Sequence, residues 1–205
     1  MATIVLTRHG HVEGIKPERF RGRHETPLTA LGRTQAKAVA ARIARTWKPA
    51  AIYTSPMGRC VETGVEIAKA CGVAAAALAA LNDLDYGAWE WRTLEEMRAA
   101  EPALYASWFT TPERMRFPGG ESLPDLIART AGALRFVGER HARDTVVLVG
   151  HLSVNRALLL QCLDMPPSAY WRLEQLPCTL NEIVIEDGRV RVLRVNDAQH
   201  LEGLQ

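Results

Sequence analysis

The segment Ile4-Val5-Leu6-Thr7-Arg8-His9-Gly10 is the most informative part of this chain of 205 residues. Its first four residues form a short, mostly apolar run of the kind found in strands that are buried on both faces of a parallel sheet. The run passes directly into a guanidinium, an imidazole and a glycine. We therefore predict a central strand whose carboxyl end carries functional side chains.

Two further apolar runs end in a similar way. The run Ala51–Thr54 is followed by Ser-Pro, and Arg59 lies about one turn into the next predicted helix. The run Thr145–Val149 leads into a glycine and His151. Because ligands bind outside the carboxyl ends of the strands in open α/β sheets, three adjacent strands would bring these side chains into one crevice.

The predicted crevice contains two guanidiniums and two imidazoles, from Arg8, Arg59, His9 and His151. Helix N-termini that follow the strands would add backbone N–H donors. This set is typical of an anion site, and a neutral imidazole held by a hydrogen bond can act as a covalent nucleophile in phosphoryl transfer. These residues alone do not distinguish phosphate from carboxylate.

Helical patterns separate the apolar runs, which favours an α/β fold. They cover Leu31–Trp47, Met57–Cys71, Glu121–Arg143 and Val154–Leu163. Near the C-terminus, Glu182–Asp187 and Arg189–Val195 flank Asp187-Gly188, a strong hairpin signal that predicts antiparallel strands. We expect one domain over residues 1–205, in which short helices at about 93–118 form a small cap over the crevice.

Composition excludes several classes of protein. The chain carries 25 Lys+Arg against 23 Asp+Glu, a formal net charge of +2, which argues against nucleic-acid binding through bulk charge. Only four of the basic residues are lysines and 21 are arginines. Codon usage explains such a bias, and so does planar, bidentate recognition of phosphate or carboxylate. No apolar run reaches the roughly 18–20 residues that a membrane span needs.

Four cysteines, Cys60, Cys71, Cys162 and Cys178, show no C-x-x-C pair or zinc spacing. The thiols are isolated from one another, and the N-terminal residues show no signal-peptide pattern. Together these two features predict a cytoplasmic protein. His9 and His11 form a His-x-His pair, but no third ligand has matching spacing. We therefore expect no metal and no cofactor.

An ordered series of motifs runs along the chain. In order, it comprises Thr7-Arg8-His9-Gly10, Gly22-x-x-Glu25-x-Pro27-Leu28-Thr29-x-x-Gly32, Ser55-Pro56-x-x-Arg59-x-x-x-Thr63, Leu81-Asn82-Asp83-x-x-Tyr86-Gly87-x-Trp89-Glu90, Pro118-Gly119-Gly120-Glu121-Ser122, Gly150-His151, and Asn196-Asp197 through His200-Leu201. This series resembles the histidine phosphatase superfamily, which includes the cofactor-dependent phosphoglycerate mutases, and it covers most of the chain.

The resemblance implies a three-layer α/β/α sandwich around a mostly parallel sheet, as in phosphoglycerate mutases, with antiparallel strands toward the C-terminus. It also implies that His9 attacks the phosphorus and becomes a phosphohistidine. Arg8, Arg59 and His151 would hold the phosphoryl oxygens as charge moves onto them. Asp83 would protonate the leaving group and then accept a proton from the attacking water.

The chain departs from the family pattern at several positions. Asp83 stands where many relatives have Glu, and its reach is shorter by about 1.5 Å. Glu13 is therefore an alternative proton donor. Ile15 replaces an asparagine of the family and cannot donate a hydrogen bond to a phosphate.

The surroundings of Gly22 also differ, because Arg21 and Arg23 flank it where relatives often have smaller or aromatic residues. We expect Arg21 and Gly22 at the substrate-binding site, with Arg21 or Arg23 available for a second acidic group. Surface arginines without a ligand role are the alternative. Trp91 replaces a common glycine and is a candidate to face the substrate.

Three functions remain open. The first is a phosphomonoesterase acting on a small, anionic phosphorylated metabolite, without nucleic-acid or membrane partners and as a monomer or homodimer. The second is a phosphoglycerate mutase, although only 34 residues separate Asp83 from Pro118, which leaves little room for the larger insertion of such relatives. The third is a phosphate-ester or phosphoprotein-binding relative with little catalytic activity.

Overall fold

The computed structural model describes residues 1–186 and 188–204. In chain order its strands and α-helices are β1 (Ala2–Arg8), α1 (Ala30–Thr46), β2 (Ala51–Thr54), α2 (Gly58–Cys71), β3 (Ala75–Ala77), α3 (Leu94–Ala100), α4 (Pro102–Thr110), α5 (Leu123–Arg140), β4 (Thr145–Gly150), α6 (Leu152–Cys162), β5 (Leu180–Glu186) and β6 (Arg189–Asp197). Short 3-10 turns connect several of them. The order alternates strands and helices, as the apolar pattern predicts.

The strands of the described residues form one sheet in the order β3-β2-β4-β1-β5-β6. Strands β1, β2, β3 and β4 pair in parallel, whereas β5 pairs antiparallel to β1 and β6 antiparallel to β5. The prediction of a mostly parallel sheet with antiparallel strands toward the C-terminus is confirmed. Strands β2, β4 and β1 are neighbours, so the three strand ends singled out in the sequence lie at one edge of the sheet.

The central strands bury both faces, which explains their nearly continuous apolar sequence. Ile4 and Leu6 belong to a core cluster that includes side chains of α5 and α6. Val5, between them, belongs to a second cluster that includes side chains of α1 and α2. Because successive strand residues point to opposite faces, these clusters are the two interfaces of a three-layer α/β/α sandwich.

Capping residues set the helix ends. Thr29 accepts a hydrogen bond from the Gly32 N–H and so starts α1. Ser122 and Asp125 form a capping box, so α5 begins at Leu123 and not at Glu121 as predicted. Helix α2 ends before Gly72, which adopts a φ of 68° in the left-handed region that favours glycine.

Two parts of the sheet were not fully predicted from the sequence or cannot be fully compared with the prediction. Strand β3 was not predicted, because three exposed alanines at a sheet edge, Ala75–Ala77, give no apolar alternation. Strands β5 and β6 pair as a hairpin, and Gly188 has a positive φ of 75°. The other predicted turn residue, Asp187, lies outside the described residues.

Helices α3 and α4 occupy most of the segment for which short helices were predicted. Trp108 of α4 is 1% exposed and packs against Phe117 and Tyr170. Its carbonyl oxygen accepts a hydrogen bond of 2.8 Å from the Trp171 indole N–H. This aromatic packing joins α4 to the turn after α6. None of the helices within residues 1–186 and 188–204 has the length and apolar composition to cross a membrane.

Candidate active site

The cleft lies at the carboxyl ends of β1, β4 and β2. Backbone hydrogen bonds extend the sheet beyond the strands: His9 N–H donates to the Gly150 carbonyl at 3.0 Å, and Ser55 N–H donates to the Val149 carbonyl at 2.9 Å. These bonds fix the positions at which the side chains leave the sheet. The structure brings together around this cleft all five residues assigned to phosphoryl transfer from the sequence: Arg8, His9, Arg59, Asp83 and His151.

His9 is held in one tautomer. Its Nδ1 lies 2.7 Å from the Gly10 carbonyl oxygen, which can only accept, so Nδ1 carries the proton and Nε2 keeps its lone pair. The ring is 1% exposed. Burial, and then the charges of Arg59 and Arg8, hold the pKa of His9 well below its usual value. A neutral imidazole with a free Nε2 is the form required of a nucleophile.

His151 lies beside His9, with ring centroids 5.2 Å apart. Its Nδ1 accepts from the Arg59 Nε at 3.3 Å, so its Nε2–H donates to the Ser55 Oγ at 2.8 Å. Burial and the nearby guanidiniums, Arg59 first, hold the pKa of His151 well below its usual value. The second imidazole is therefore also neutral and fixed in orientation.

Arg59 is fully buried and uses all of its nitrogens. Besides His151, it donates to the His24 carbonyl from Nη1 at 2.9 Å and to the Gly22 carbonyl from Nη2 at 2.6 Å. The same Nη2 lies 3.2 Å from the Asp83 Oδ2. One side chain thereby ties the loop before α1 and the Asp83 segment to the strand ends.

The Asp83 carboxyl group faces the Arg59 guanidinium and the His151 ring. Its Oδ2 is 3.2 Å from Arg59 Nη2 and 3.3 Å from His151 Nδ1, while Oδ1 accepts from the Leu84 N–H at 2.9 Å. The alternative proton donor, Glu13, is exposed and is not among the residues that line the cleft. Of these two carboxyl groups, Asp83 is the one that the fold brings to the histidines.

The cleft has an excess of positive charge. Arg8 donates from Nη1 to the Gln175 carbonyl at 2.8 Å, and its buried Nε has no partner among the described residues. Burial, and then the charge of Arg21, lowers the pKa of Arg8 to about 9. The guanidinium is thus held where an anion would stabilise it.

Arg21 and Gly22 line the same cleft but act on the protein backbone. Arg21 is buried and donates to the Gly14 carbonyl oxygen. Gly22 has a φ of +48°, and an added Cβ would come within 2.7 Å of the Glu90 Oε1. Its carbonyl accepts from Arg59, so Gly22 positions a phosphate-binding candidate through its main chain.

Sequence reasoning missed the arginine that holds the Asp83 segment. Arg129, on α5, donates to the carbonyls of Ala80, Asn82 and Asp83 at 2.9, 2.6 and 2.8 Å. It also bonds both carboxylate oxygens of Glu121, at 2.9 and 3.0 Å. The sequence offered one partial signal, Glu121 in the motif Pro118–Ser122, but it gives neither the burial of this carboxylate nor the identity of its cationic partner.

Arg23, a sequence candidate for a second acidic group, belongs to the same network. Its guanidinium bonds Asp85 at 3.0 Å and Glu121 at 3.1 Å. Glu121 also accepts from the Asp85 N–H at 3.1 Å. These carboxylates already neutralise the charge of Arg23. Arg23 therefore helps to hold the Asp83 segment in place.

Two other sequence candidates lie away from the cleft. Trp91 stacks on His24 at 4.4 Å and lies under the Arg19 guanidinium at 5.2 Å, and it does not line the cleft. His11 Nδ1 bonds the Thr29 Oγ1 at 2.9 Å. In the part of the chain that the structure describes, no group of three or more His, Cys, Asp or Glu residues could hold a metal ion.

The cleft is narrow between its side chains, with only about 30 Å³ of open space there. Its lining also includes aromatic and apolar side chains and one more arginine: Leu94, Trp108, Phe109, Leu152, Trp171 and Arg156. The cleft therefore combines cationic and apolar side chains.

Comparisons with known proteins agree with this architecture. The family model described as "Histidine phosphatase superfamily (branch 1)" matches residues 4–198. Phosphoserine phosphatase 1 of Hydrogenobacter thermophilus is 30% identical over 98% of this chain and 95% of its own. Probable phosphoglycerate mutase GpmB of Yersinia enterocolitica is 33% identical over 92% and 87%. The solved structure of Bacillus stearothermophilus YhfR superposes with a TM-score of 0.92 at 27% identity, covering 98% of this chain and 100% of that one.

Proposed function

Because the chain belongs to the histidine phosphatase superfamily, it is a phosphoric monoester hydrolase, and we propose that it acts on a small phosphorylated metabolite, without a metal, through a phosphohistidine at His9. The observation that carries the residue assignment is the tautomer of His9. Its Nδ1 donates to the Gly10 carbonyl, which leaves the Nε2 lone pair at the base of a cationic cleft. The side chains around it supply the charge stabilisation that phosphoryl transfer requires.

In the first step, His9 Nε2 forms a bond to phosphorus and the bond from phosphorus to the ester oxygen breaks. Arg8, Arg59 and His151 stabilise the phosphoryl oxygens as negative charge builds on them. Asp83, in its acid form, gives its proton to the leaving alkoxide. The free alcohol and the phosphohistidine are the products of this step.

In the second step, water attacks the phosphohistidine. The Asp83 carboxylate accepts a proton from the water, the phosphorus–nitrogen bond breaks, and the electron pair returns to His9 Nε2. Inorganic phosphate leaves and Asp83 is again in its acid form. Asp83 lines the cleft together with His9, and this position of its carboxyl group supports the double role.

A mutase activity is the second candidate, because one relative that is 33% identical is named a probable phosphoglycerate mutase. A mutase has to keep the phosphohistidine from water, and the cleft here is open at its mouth with only short helices beside it. These features support hydrolysis. A relative that binds phosphate esters with little turnover is the third candidate, and the retention of His9, Arg8, Arg59 and His151 argues against it.

The decisive experiment incubates the protein with p-nitrophenyl phosphate and EDTA, then quenches it to trap phosphoprotein. We expect turnover and an acid-labile phosphoryl group on His9, and both should be lost in His9→Ala, with kcat lower by about 10⁴-fold or more. His141→Ala, a change at the C-terminal end of α5, is the matched control and should keep both. Turnover that persists in His9→Ala would refute the assignment.

Two further measurements test the mutase and the phosphate-ester-binding relative, the other two candidate functions. Isomerisation of 3-phosphoglycerate that is stimulated by 2,3-bisphosphoglycerate, and faster than phosphate release, would establish the mutase. Tight binding of phosphate esters without turnover would establish the binding relative. The four free thiols support our proposal that the protein works in a reducing compartment, the cytoplasm.

A further inference from the structure

Arg156 is a buried cation without a full set of partners. It lies on α6 and is 4% exposed. Its Nε donates to the Leu173 carbonyl at 2.6 Å, but its buried Nη1 has no hydrogen-bond partner among the described residues. The nearest recorded carboxylate oxygen, Glu174 Oε2, is 4.0 Å from Nη2 and belongs to a side chain that is 66% exposed. A buried, unsatisfied donor on a charged group is costly unless a ligand completes it.

Aromatic packing holds this guanidinium in place. Its central carbon lies 4.8 Å from the centroid of the Trp171 ring and 5.2 Å from that of Tyr170. The stacked plane keeps the fork of donors fixed before any ligand binds, so little side-chain entropy is lost on binding. Such a preorganised fork matches the two oxygens of a carboxylate.

The position of Arg156 relates it to the reacting groups. It lines the same cleft as His9 and Asp83, and it also lines the outer extension of that cleft together with Arg8 and Arg21. Its charge is one of those that lower the pKa of Arg8. The phosphoryl group is already provided for by the side chains at the strand ends. Arg156 is therefore available to the other end of the substrate, the part that leaves as the alcohol.

We propose that Arg156 binds a carboxylate on the leaving-group side of the substrate, which makes this enzyme selective for small phosphate esters that carry a carboxylate. This inference rests on the proposed function and narrows its substrate class. The names of two relatives, a phosphoserine phosphatase and a probable phosphoglycerate mutase, refer to compounds of this class.

The first test uses the unmodified protein and two matched substrate pairs. 3-Phosphoglycerate differs from glycerol 3-phosphate, and O-phosphoserine from O-phosphoethanolamine, by the carboxylate. In each pair we expect kcat/KM to be about 10- to 100-fold higher for the substrate with the carboxylate, because a hydrogen bond between charged groups contributes free energy of this size. Ratios within about twofold for both pairs would overturn the proposal without any variant.

The second test changes the arginine. Arg156→Gln should bring both ratios close to 1 through KM, and Arg156→Lys should give intermediate ratios because it keeps the charge but loses the fork. Arg172→Gln, at an exposed position next to Trp171, is the matched control and should keep the ratios of the unmodified protein. An unchanged ratio in Arg156→Gln, with folding checked by circular dichroism and urea denaturation, would also overturn the proposal.

A binding experiment separates this inference from the proposed function. Titration calorimetry with His9→Ala measures the dissociation constants of 3-phosphoglycerate and glycerol 3-phosphate without turnover. We expect tighter binding of 3-phosphoglycerate by about 10- to 100-fold, and equal affinities would refute the role of Arg156. Hydrolysis of p-nitrophenyl phosphate with equal affinities refutes only this inference. Unequal affinities without any hydrolysis refute only the proposed function.

Discussion

The floor of the cleft and its acid wall are held by different kinds of hydrogen bond. The floor consists of the strand ends that carry His9 and His151, and backbone pairing fixes it, as between Arg8 and Gly150. The acid wall, residues 80–85, contains Asp83 but no β-strand, and Arg129 donates to three of its carbonyl groups. The floor therefore depends on many equivalent backbone bonds, whereas the wall depends on a few side chains, of which Arg129 makes the most bonds to its backbone.

This difference divides the expected effects of mutation. A change in the floor alters the chemistry at phosphorus and leaves the sheet intact, because the backbone holds the position. A change in the wall alters the proton transfer, and it alters stability where the arginine network is involved. Substrates with different leaving groups distinguish changes in the floor from changes in the wall. An activated aryl oxide leaves without being protonated, whereas an alkoxide has to receive a proton in order to leave.

The largest effect that separates the two regions is expected from Asp83→Asn. The amide cannot protonate an alkoxide, so kcat for an alkyl phosphate should fall by about 10²–10⁴-fold. For p-nitrophenyl phosphate the formation of the phosphohistidine should change far less. Rapid-quench measurement of that step with both substrates is the check, and Glu13→Gln is the control that should leave both rates unchanged. Equal losses with both substrates would contradict a proton-donor role.

The next effect concerns the arginine of the wall. Arg129→Met removes the Arg129 donors from three carbonyl groups and from the Glu121 carboxylate, which keeps only Arg23 and the Asp85 N–H, and this should lower the free energy of unfolding by about 2–3 kcal/mol. A displaced Asp83 should also lower kcat for alkyl phosphates by about 10- to 100-fold.

Arg135→Met, at an exposed position on the same helix, is the matched control and should do neither. Urea denaturation and the alkyl-to-aryl rate ratio measure the two effects of Arg129→Met separately. A loss of stability with an unchanged rate ratio would limit Arg129 to a structural role.

The smallest effect belongs to the floor and appears in stability. Because burial holds the pKa values of His9 and His151 well below 6.5 in the folded protein, the unfolded chain binds protons that the native state excludes. The free energy of unfolding should therefore fall as pH drops below about 6.5, by up to about 1.4 kcal/mol per pH unit for each histidine.

Urea denaturation at pH 7.5, 6.5 and 5.5 measures this dependence. In His9→Gln the fall between pH 6.5 and 5.5 should be smaller by about 1 kcal/mol, because one of the two excluded protons is gone. Other titrating groups are the same in both proteins, so the difference between the slopes isolates His9. Identical slopes would show that folding leaves the pKa of His9 unchanged.

The floor could be predicted from sequence because its signals are local. A buried strand and the side chain that follows it are consecutive in the chain, as with Leu6 and His9, and the rule that ligands bind at strand ends supplies the rest. The family resemblance added the role of Asp83. The α/β fold followed from the apolar runs and the helical patterns between them, and the family resemblance implied its three layers.

The arginines of the wall could not be assigned in this way. Arg129 and the Asp83 carbonyl are 46 residues apart, and Arg23 and Glu121 are 98 apart. A guanidinium that bonds backbone carbonyls leaves no pattern in the partner's sequence, since every residue has a carbonyl. Arg23 therefore resembled a substrate-binding residue in sequence, while Arg156 inside an apolar helix gave no sign of its position in the cleft.

The contact between Asp83 and Arg59 has a consequence for the release of product. The Asp83 carboxyl group, covalently attached 3.2 Å from the guanidinium, acts as a tethered competitor for any free anion, at an effective concentration in the millimolar range or above. Inorganic phosphate has to displace the Asp83 carboxyl group from Arg59 in order to bind. When phosphate leaves, the carboxyl group takes its place again. The enzyme thereby resists inhibition by its own product, because the tethered carboxyl group of Asp83 already occupies Nη2 of Arg59 in the empty cleft.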